Sequence, residues 1–176
     1  MRKKAREYYI IDGYNVINSW PELIKLRDNL SEARDMLVHM LLEYGAYEKY
    51  VMTVVFDALF TDDEEHIEVI NPQFNVVYTG MGETADSYIE RRAYEAVQQG
   101  QEVHVVTSDG AEQSMILGAG AYRHPSKEFH KIVKATKKDL RKRYLDDVKL
   151  PVSRNEIGNN LDSETMAKLD ALRKNK

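Results

Sequence analysis

YYIIDGYNVI, residues 8–17, carries the change of character that decides how this chain is read. Tyr8 to Ile11 form an unbroken apolar, β-prone run, which reads as a buried strand. The run stops abruptly on Asp12, and Gly13 and Asn15 follow within three positions. An acid that closes a buried strand, followed by a glycine and an amide, belongs at the edge of a sheet where ligands bind.

Further along, the pattern recurs. VMTVVF (51–56) is a second apolar run and ends on Asp57. Residues 67–70 and FNVVYT (74–79) supply a third strand, broken at Asn71-Pro72. EVHVV (102–106) is a fourth, and TSDGAEQ follows at once. Helical stretches separate these runs. After a loop containing Pro21, Ser31 reads as the N-cap of a helix from about Glu32 to Tyr47, with apolar residues three, four, seven and eight apart. Thr84 or Glu83 opens a helix that Gly100 ends. A short helix is expected from about Ala111 to Leu117. GAGAYRHPS (118–126) hides a short fifth strand, and a long helix runs from about Lys127 to Asp147, stopped by Pro151. Strands alternating with helices imply a mostly parallel sheet covered on both faces, an open α/β sandwich that is loosely Rossmann-like.

With 176 residues, the chain is long enough for one well-buried core. One domain is expected over 1–150, with residues 151–176 as a small helical tail. The absence of cysteine excludes a disulfide framework, a thiolate zinc site and a cysteine nucleophile. The net charge of −4 and pI near 5.8 exclude a globally basic nucleic-acid coat protein. The basic N-terminus has no apolar segment of a secretory signal. No stretch approaches the ~18 apolar residues of a spanning helix. The expectation is a soluble cytoplasmic protein with no membrane partner. TDDEEH (61–66) reads as a solvated acidic turn.

In such a sheet the acids converge. Asp12 closes the first strand and Asp57 the second. Asp86 falls in the first turn of the helix after the third, with Glu83 close before it, and Asp109 lies just past the fourth. Each alone reads as an ordinary helix cap or turn former. Together they bring carboxylates from four junctions to one edge. Crowded carboxylates repel one another unless a cation neutralises them. Oxygen-only donors suit Mg²⁺ or Mn²⁺, the usual apparatus of phosphodiester hydrolysis. Gly13 permits a tight turn or close approach to a phosphate. Asn15 offers an amide to a carboxylate, a water or a phosphate oxygen. Thr84 and Ser108 are neutral donors or simple caps. No GxGxxG and no P-loop lysine motif is present. The five histidines show no ligand spacing.

At these residues the chain resembles the NYN domain family in its YacP-like branch, whose relatives are PIN-domain and FLAP-type nucleases. The resemblance rests on DGYNVI (12–17), VVFDA (54–58), ETADSYIE (83–90), VVTSDGAEQ (105–113) and GAGAYRHPSKEF (118–129), in family order over about residues 8–145. It implies a PIN-like three-layer α/β sandwich and metal-dependent endoribonuclease activity. Asp12, Asp57, Asp86 and Asp109 match the family's acidic cluster, and Asn15 the amide of its signature. Ribosome-linked mRNA decay, and hence the ribosome as a partner, is also implied. Pro125 departs from the branch's usual pattern at the entry to the last helix.

That last helix is basic for so acidic a chain. Lys127, Lys131, Lys134, Lys138 and Arg141 recur every three or four residues as one stripe, opposite Phe129, Val133, Thr136, Leu140 and Tyr144. The stripe reads as a solvated face or as a contact for RNA phosphates, which Arg123 would extend. Tyr14, beside the acids, and Trp20 each suit packing or stacking on an unpaired base. The reading is a metal-dependent endoribonuclease acting on single-stranded RNA. The alternative is a non-catalytic RNA- or ribosome-binding module of the same fold. A small phosphatase or receiver-like domain fits less well, because no second acid stands two residues beyond Asp12.

Overall fold

The computed structural model describes residues 6–58, 64–108 and 120–148. The chain divides into two compact units, Met1–Lys137 and Lys138–Lys176. The first holds a six-stranded sheet: β1 (Tyr8–Asp12), β2 (Val51–Phe56), β3 (His66–Asn71), β4 (Phe74–Tyr78), β5 (Val103–Val106) and β6 (Tyr122–His124). Its order is β3-β4-β2-β1-β5-β6. Every pairing is parallel except the antiparallel β3–β4 hairpin.

The sheet is two-faced because successive strand residues point to opposite sides. Tyr9, Ile11, Met52, Val54 and Phe56 share one face. They pack under α1 (Gly13–Ile17), α2 (Pro21–Ile24), α3 (Leu30–Glu48) and the first half of α5 (Ser126–Val148). Tyr8, Ile10, Val55, Val77, Val103 and Val105 form the other face, under α4 (Ala85–Gln98). Ile10 and Ile11 are fully buried on opposite faces, each worth about 1.5–3 kcal/mol of burial. The architecture is the expected three-layer sandwich with a central, mostly parallel sheet.

Three local readings change. The expected single broken strand over 67–79 is a hairpin. Asn71 Oδ1 accepts from Gln73 N–H at 2.8 Å, and this turn reverses the chain instead of interrupting it. The N-cap of α3 is Asn29, not Ser31: Asn29 Oδ1 accepts from Glu32 N–H, and Glu32 Oε2 accepts from Asn29 Nδ2. Asn29 and Glu32 have the spacing of a reciprocal capping box. The chain after Asp12 is no loop but the single helical turn α1 and then α2, with Pro21 at its first position. Thr84 caps α4 as expected, and the expected strand before α5 is β6. Pro125 directly precedes α5, and its carbonyl accepts from Glu128 and Phe129 N–H. The expected helix at 111–117 and the tail from residue 151 lie outside the described residues. Among the described residues no helix is long and apolar enough to cross a membrane.

A histidine pair, His104 buried and His124 half-buried, bridges β5 and β6. His104 Nδ1 and His124 Nε2 are 2.9 Å apart, and Tyr9 stacks on His104 with ring centroids 4.6 Å apart. Burial lowers both pKa values below the usual histidine range. It outweighs Glu7 and Glu102, whose carboxylates stand 3.5 and 3.7 Å from His104 Nε2. The unfolded chain therefore takes up protons that the folded chain refuses, so stability is full above pH 6.5 and falls as pH drops below it. The expected slope is up to about 1.4 kcal/mol per pH unit for each extra proton bound on unfolding. Urea unfolding between pH 8 and pH 5 measures it. A His104→Gln/His124→Gln variant that shows the same decline would assign the effect elsewhere. The depressed carboxyl of Glu22 acts in a lower window, below pH 4.5. Burial opposes its ionisation, but the hydrogen bond from His130 at 2.8 Å, a backbone hydrogen bond and the charges of His130 and Lys134 together more than compensate.

Candidate active site

β1 lies between β2 and β5, and there the order of the strands reverses. The chain builds β2 and β4 on one side of β1 and then crosses to the other for β5. The carboxyl ends of β1 and β5 are thus the topological switch point, where open α/β sheets bind ligands. Asp12 stands at that point, 8% exposed. It caps α1, with Oδ1 accepting from Asn15 N–H at 3.1 Å. Asp12 pairs in register with Val55, so the half-buried Asp57 follows two residues beyond its partner on the neighbouring strand. Val55 belongs to the face covered by α4, and Asp86 lies exposed in the first turn of that helix.

Asn15 does more than carry a signature. Its Oδ1 accepts from Ser108 N–H at 2.9 Å and from Ser126 Oγ at 2.6 Å. Ser126 N–H in turn donates to Ser108 Oγ at 3.0 Å, and Ser126 O accepts from Trp20 Nε1 at 2.9 Å. This polar clamp ties the turn after β1, the end of β5 and the start of α5. The oxygen of Asn15 is committed to that clamp, as are both the N–H and the hydroxyl of Ser108. Ser126 is fully buried and is the residue that sequence reasoning missed. Its partner Asn15 lies 111 residues away, and nothing local to a serine before a basic helix announces that contact. Trp20 is likewise buried in the core, against Phe129 and His130, and not open to a base.

The other candidates separate. Glu83 is gripped by Arg91, with contacts of 3.0–3.3 Å, and the same guanidinium stands 3.8 Å from Glu65 and from Glu95. Thr84 Oγ1 accepts from Ser87 N–H, an ordinary cap. Asp109 lies outside the described residues. Among the described residues no three His, Cys, Asp or Glu side chains are grouped so as to hold a metal ion. The donor chemistry of Asp12, Asp57 and Asp86, oxygen throughout, fits Mg²⁺ or Mn²⁺ and not a thiophilic ion.

Gly13 is buried, and its role is close packing. A Cβ there would collide with the edge of the Phe56 ring, which is fully buried. Gly13→Ala is expected to cost about 1–3 kcal/mol, read as a lower urea midpoint with unchanged slope. Tyr14 is half-buried, sets its edge on Phe56 and accepts from Arg34 Nη1 at 3.2 Å. It also lines an open cleft of about 740 Å³ that includes Asp57.

On α5, Phe129, Val133 and Thr136 are buried, while Lys127, Lys131, Lys134, Lys138 and Arg141 are all exposed. Tyr144, expected on the apolar stripe, is 69% exposed. Arg123 pairs in register with Val105, on the sheet face under α4, whereas the buried side of α5 packs on the other face.

Comparison with known proteins agrees with this architecture. The family model of the YacP-like NYN domain matches residues 9–174, running past the boundary expected at 150. The YacP protein of Bacillus subtilis (strain 168) is 36% identical over 135 residues, 76% of this chain and 79% of that protein. The crystal structure of Rae1 (YacP) from Bacillus subtilis is similar, with 30% identity and a TM-score of 0.70 over 96% of this chain and 95% of that one. A point mutant of the same protein gives 30% identity and a TM-score of 0.71, over 94% and 99%. NYN domains are PIN-like nucleases, so a nuclease-like, RNA-related role comes with the match. The chain belongs to the YacP-like NYN domain family.

Proposed function

We propose that this protein is a divalent-metal-dependent endoribonuclease that cleaves single-stranded RNA, with mRNA on translating ribosomes as its working substrate in the cytoplasm. The observation that carries this reading is the buried carboxylate of Asp12 at the switch point, fixed by a backbone N–H within a clamp that joins three strand-end segments. Asp12, Asp57 and Asp86, with Asp109, are the residues we assign to the ion and to catalysis. Mg²⁺ or Mn²⁺ supplies neutralisation of the phosphoryl charge and of the leaving oxygen. Asn15, Ser108 and Ser126 hold the strand ends in one arrangement, so orientation is settled before the substrate arrives. Lys127, Lys131 and Lys134, continued by Lys138 and Arg141, bind the RNA backbone. The nuclease domain is assigned to 1–150 and the tail to 151–176.

The test is RNA cleavage by the wild type and by Asp12→Asn, on free RNA and on translating ribosome complexes, with Mn²⁺ or with EDTA. Cleavage that requires both the metal and Asp12 supports the nuclease, and the two substrates show whether the ribosome is needed. RNA or ribosome binding without cleavage under every condition would identify a non-catalytic binding module instead.

A further inference from the structure

Three aromatic rings stand in a row across β2, β4 and β3. Phe56 and Tyr78 are register partners, as are Tyr78 and His66. Their centroids are 5.7 and 6.2 Å apart, with planes 24° and 26° from parallel. Exposure rises along the row: Phe56 is fully buried, Tyr78 half-buried and His66 exposed. The guanidinium of Arg34 stands 5.8 Å from the centre of the Tyr78 ring and donates to the Tyr14 hydroxyl. Tyr78, His66, Arg34 and Tyr14 line the 740 Å³ cleft, together with the acidic residues Asp57, Glu64 and Glu65.

This lining discriminates between the parts of a nucleotide. Among the described lining residues three are acidic and one carries a guanidinium; Arg91 stands 3.8 Å from Glu65, and the charge of Asp57 and Glu64 that remains disfavours a phosphate. A neutral base escapes that repulsion and stacks on the exposed aromatic and guanidinium surfaces. The volume lies within the range of about 300–1,000 Å³ typical of small-ligand sites. Carboxylates only accept hydrogen bonds. A base with an exocyclic amino group offers them two N–H donors, whereas uracil offers on its pairing edge only N3–H, flanked by two carbonyl oxygens that a carboxylate repels.

We propose that this cleft is a base-recognition subsite, taking one unstacked, amino-bearing nucleobase of the RNA strand beside Asp57. The inference rests on RNA being the substrate, as proposed above, but not on the protein being catalytic. Metal-free protein in EDTA is titrated with the trinucleotides AAA and UUU, and binding is read from the ring resonances of Tyr78 and His66. AAA is expected to bind at least about tenfold more tightly than UUU. Tyr78→Leu, which keeps the apolar volume and removes the ring, is expected to abolish that preference, and Tyr78→Phe to retain it. Arg34→Gln, on a side chain outside the core, is expected to weaken AAA binding. Glu64→Gln is expected to narrow the AAA-to-UUU ratio. Equal affinities, no binding of either trinucleotide, shifts centred away from the cleft, or a preference that survives in folded Tyr78→Leu would each overturn the proposal. A base preference in a protein that cleaves nothing would refute the nuclease reading and leave the subsite standing.

Discussion

Asp12→Asn is expected to lower RNA cleavage by at least about 100-fold while leaving the melting temperature unchanged or raised. Both expectations come from one geometry. Asp12 caps α1 through Oδ1 on Asn15 N–H. Asparagine caps a helix as well as aspartate does, so the side-chain oxygen keeps its bond. What the substitution removes is a negative charge held nearly out of water, and burying that charge costs stability. Residues that merely orient metal ligands cost about 10–100-fold when replaced, which sets the floor for a residue assigned to the ion itself. Single-turnover cleavage and a thermal melt on the same preparation give the answer. Cleavage within about tenfold of the wild type would remove Asp12 from the reacting site. A simultaneous loss of activity and stability would assign it to the fold.

Trp20→Ala is expected to destabilise the protein by about 3–5 kcal/mol, the range for emptying a buried tryptophan site. Trp20 is fully buried, with Phe129 and His130 against its ring. Its Nε1–H also meets the carbonyl of Ser126, so truncation leaves an acceptor of the clamp without its partner. Trp20→Phe separates the two contributions: the ring survives and the donor does not. An intermediate loss of about 1–3 kcal/mol is expected for it. Urea unfolding of the three proteins reads both values. Because Ser126 also holds Asn15 and Ser108, Trp20→Phe is expected to reduce cleavage at temperatures where the protein remains folded. Full activity there would show that the clamp stands without its tryptophan.

The parts of the fold that were legible in the sequence are those whose causes are local. β1, β2 and β5 are continuous apolar runs because both faces of a parallel sheet are covered. Thr84 announces α4 because a cap lies next to the backbone groups that it satisfies. Asn29 is the cap of α3 for the same kind of reason. The pair Asn29 and Glu32 was available in the sequence and stronger than Ser31. α1 was not legible: a single turn of five residues is too short to show a helical period. The β3–β4 hairpin was half visible. The turn signal at Asn71-Pro72 is plain, but whether a chain pauses or reverses there depends on the strand that receives it.

By itself, the sequence determined the layered α/β architecture, the family and the places of Asp12 and Asp57 at the ends of β1 and β2, because strand runs, caps and motif order are written in neighbouring residues. Tertiary structure alone decided what those residues meet. It set the oxygen of Asn15 in a clamp with Ser108 and Ser126, gave Glu83 to Arg91, buried Trp20 and packed Gly13 against Phe56. It also carried the register of Arg123 to the sheet face opposite the buried side of α5. The physical reason is range. A cap or a strand run is satisfied within a few residues, whereas a hydrogen bond across 111 positions or a ring against a glycine exists only once the sheet has brought distant segments together.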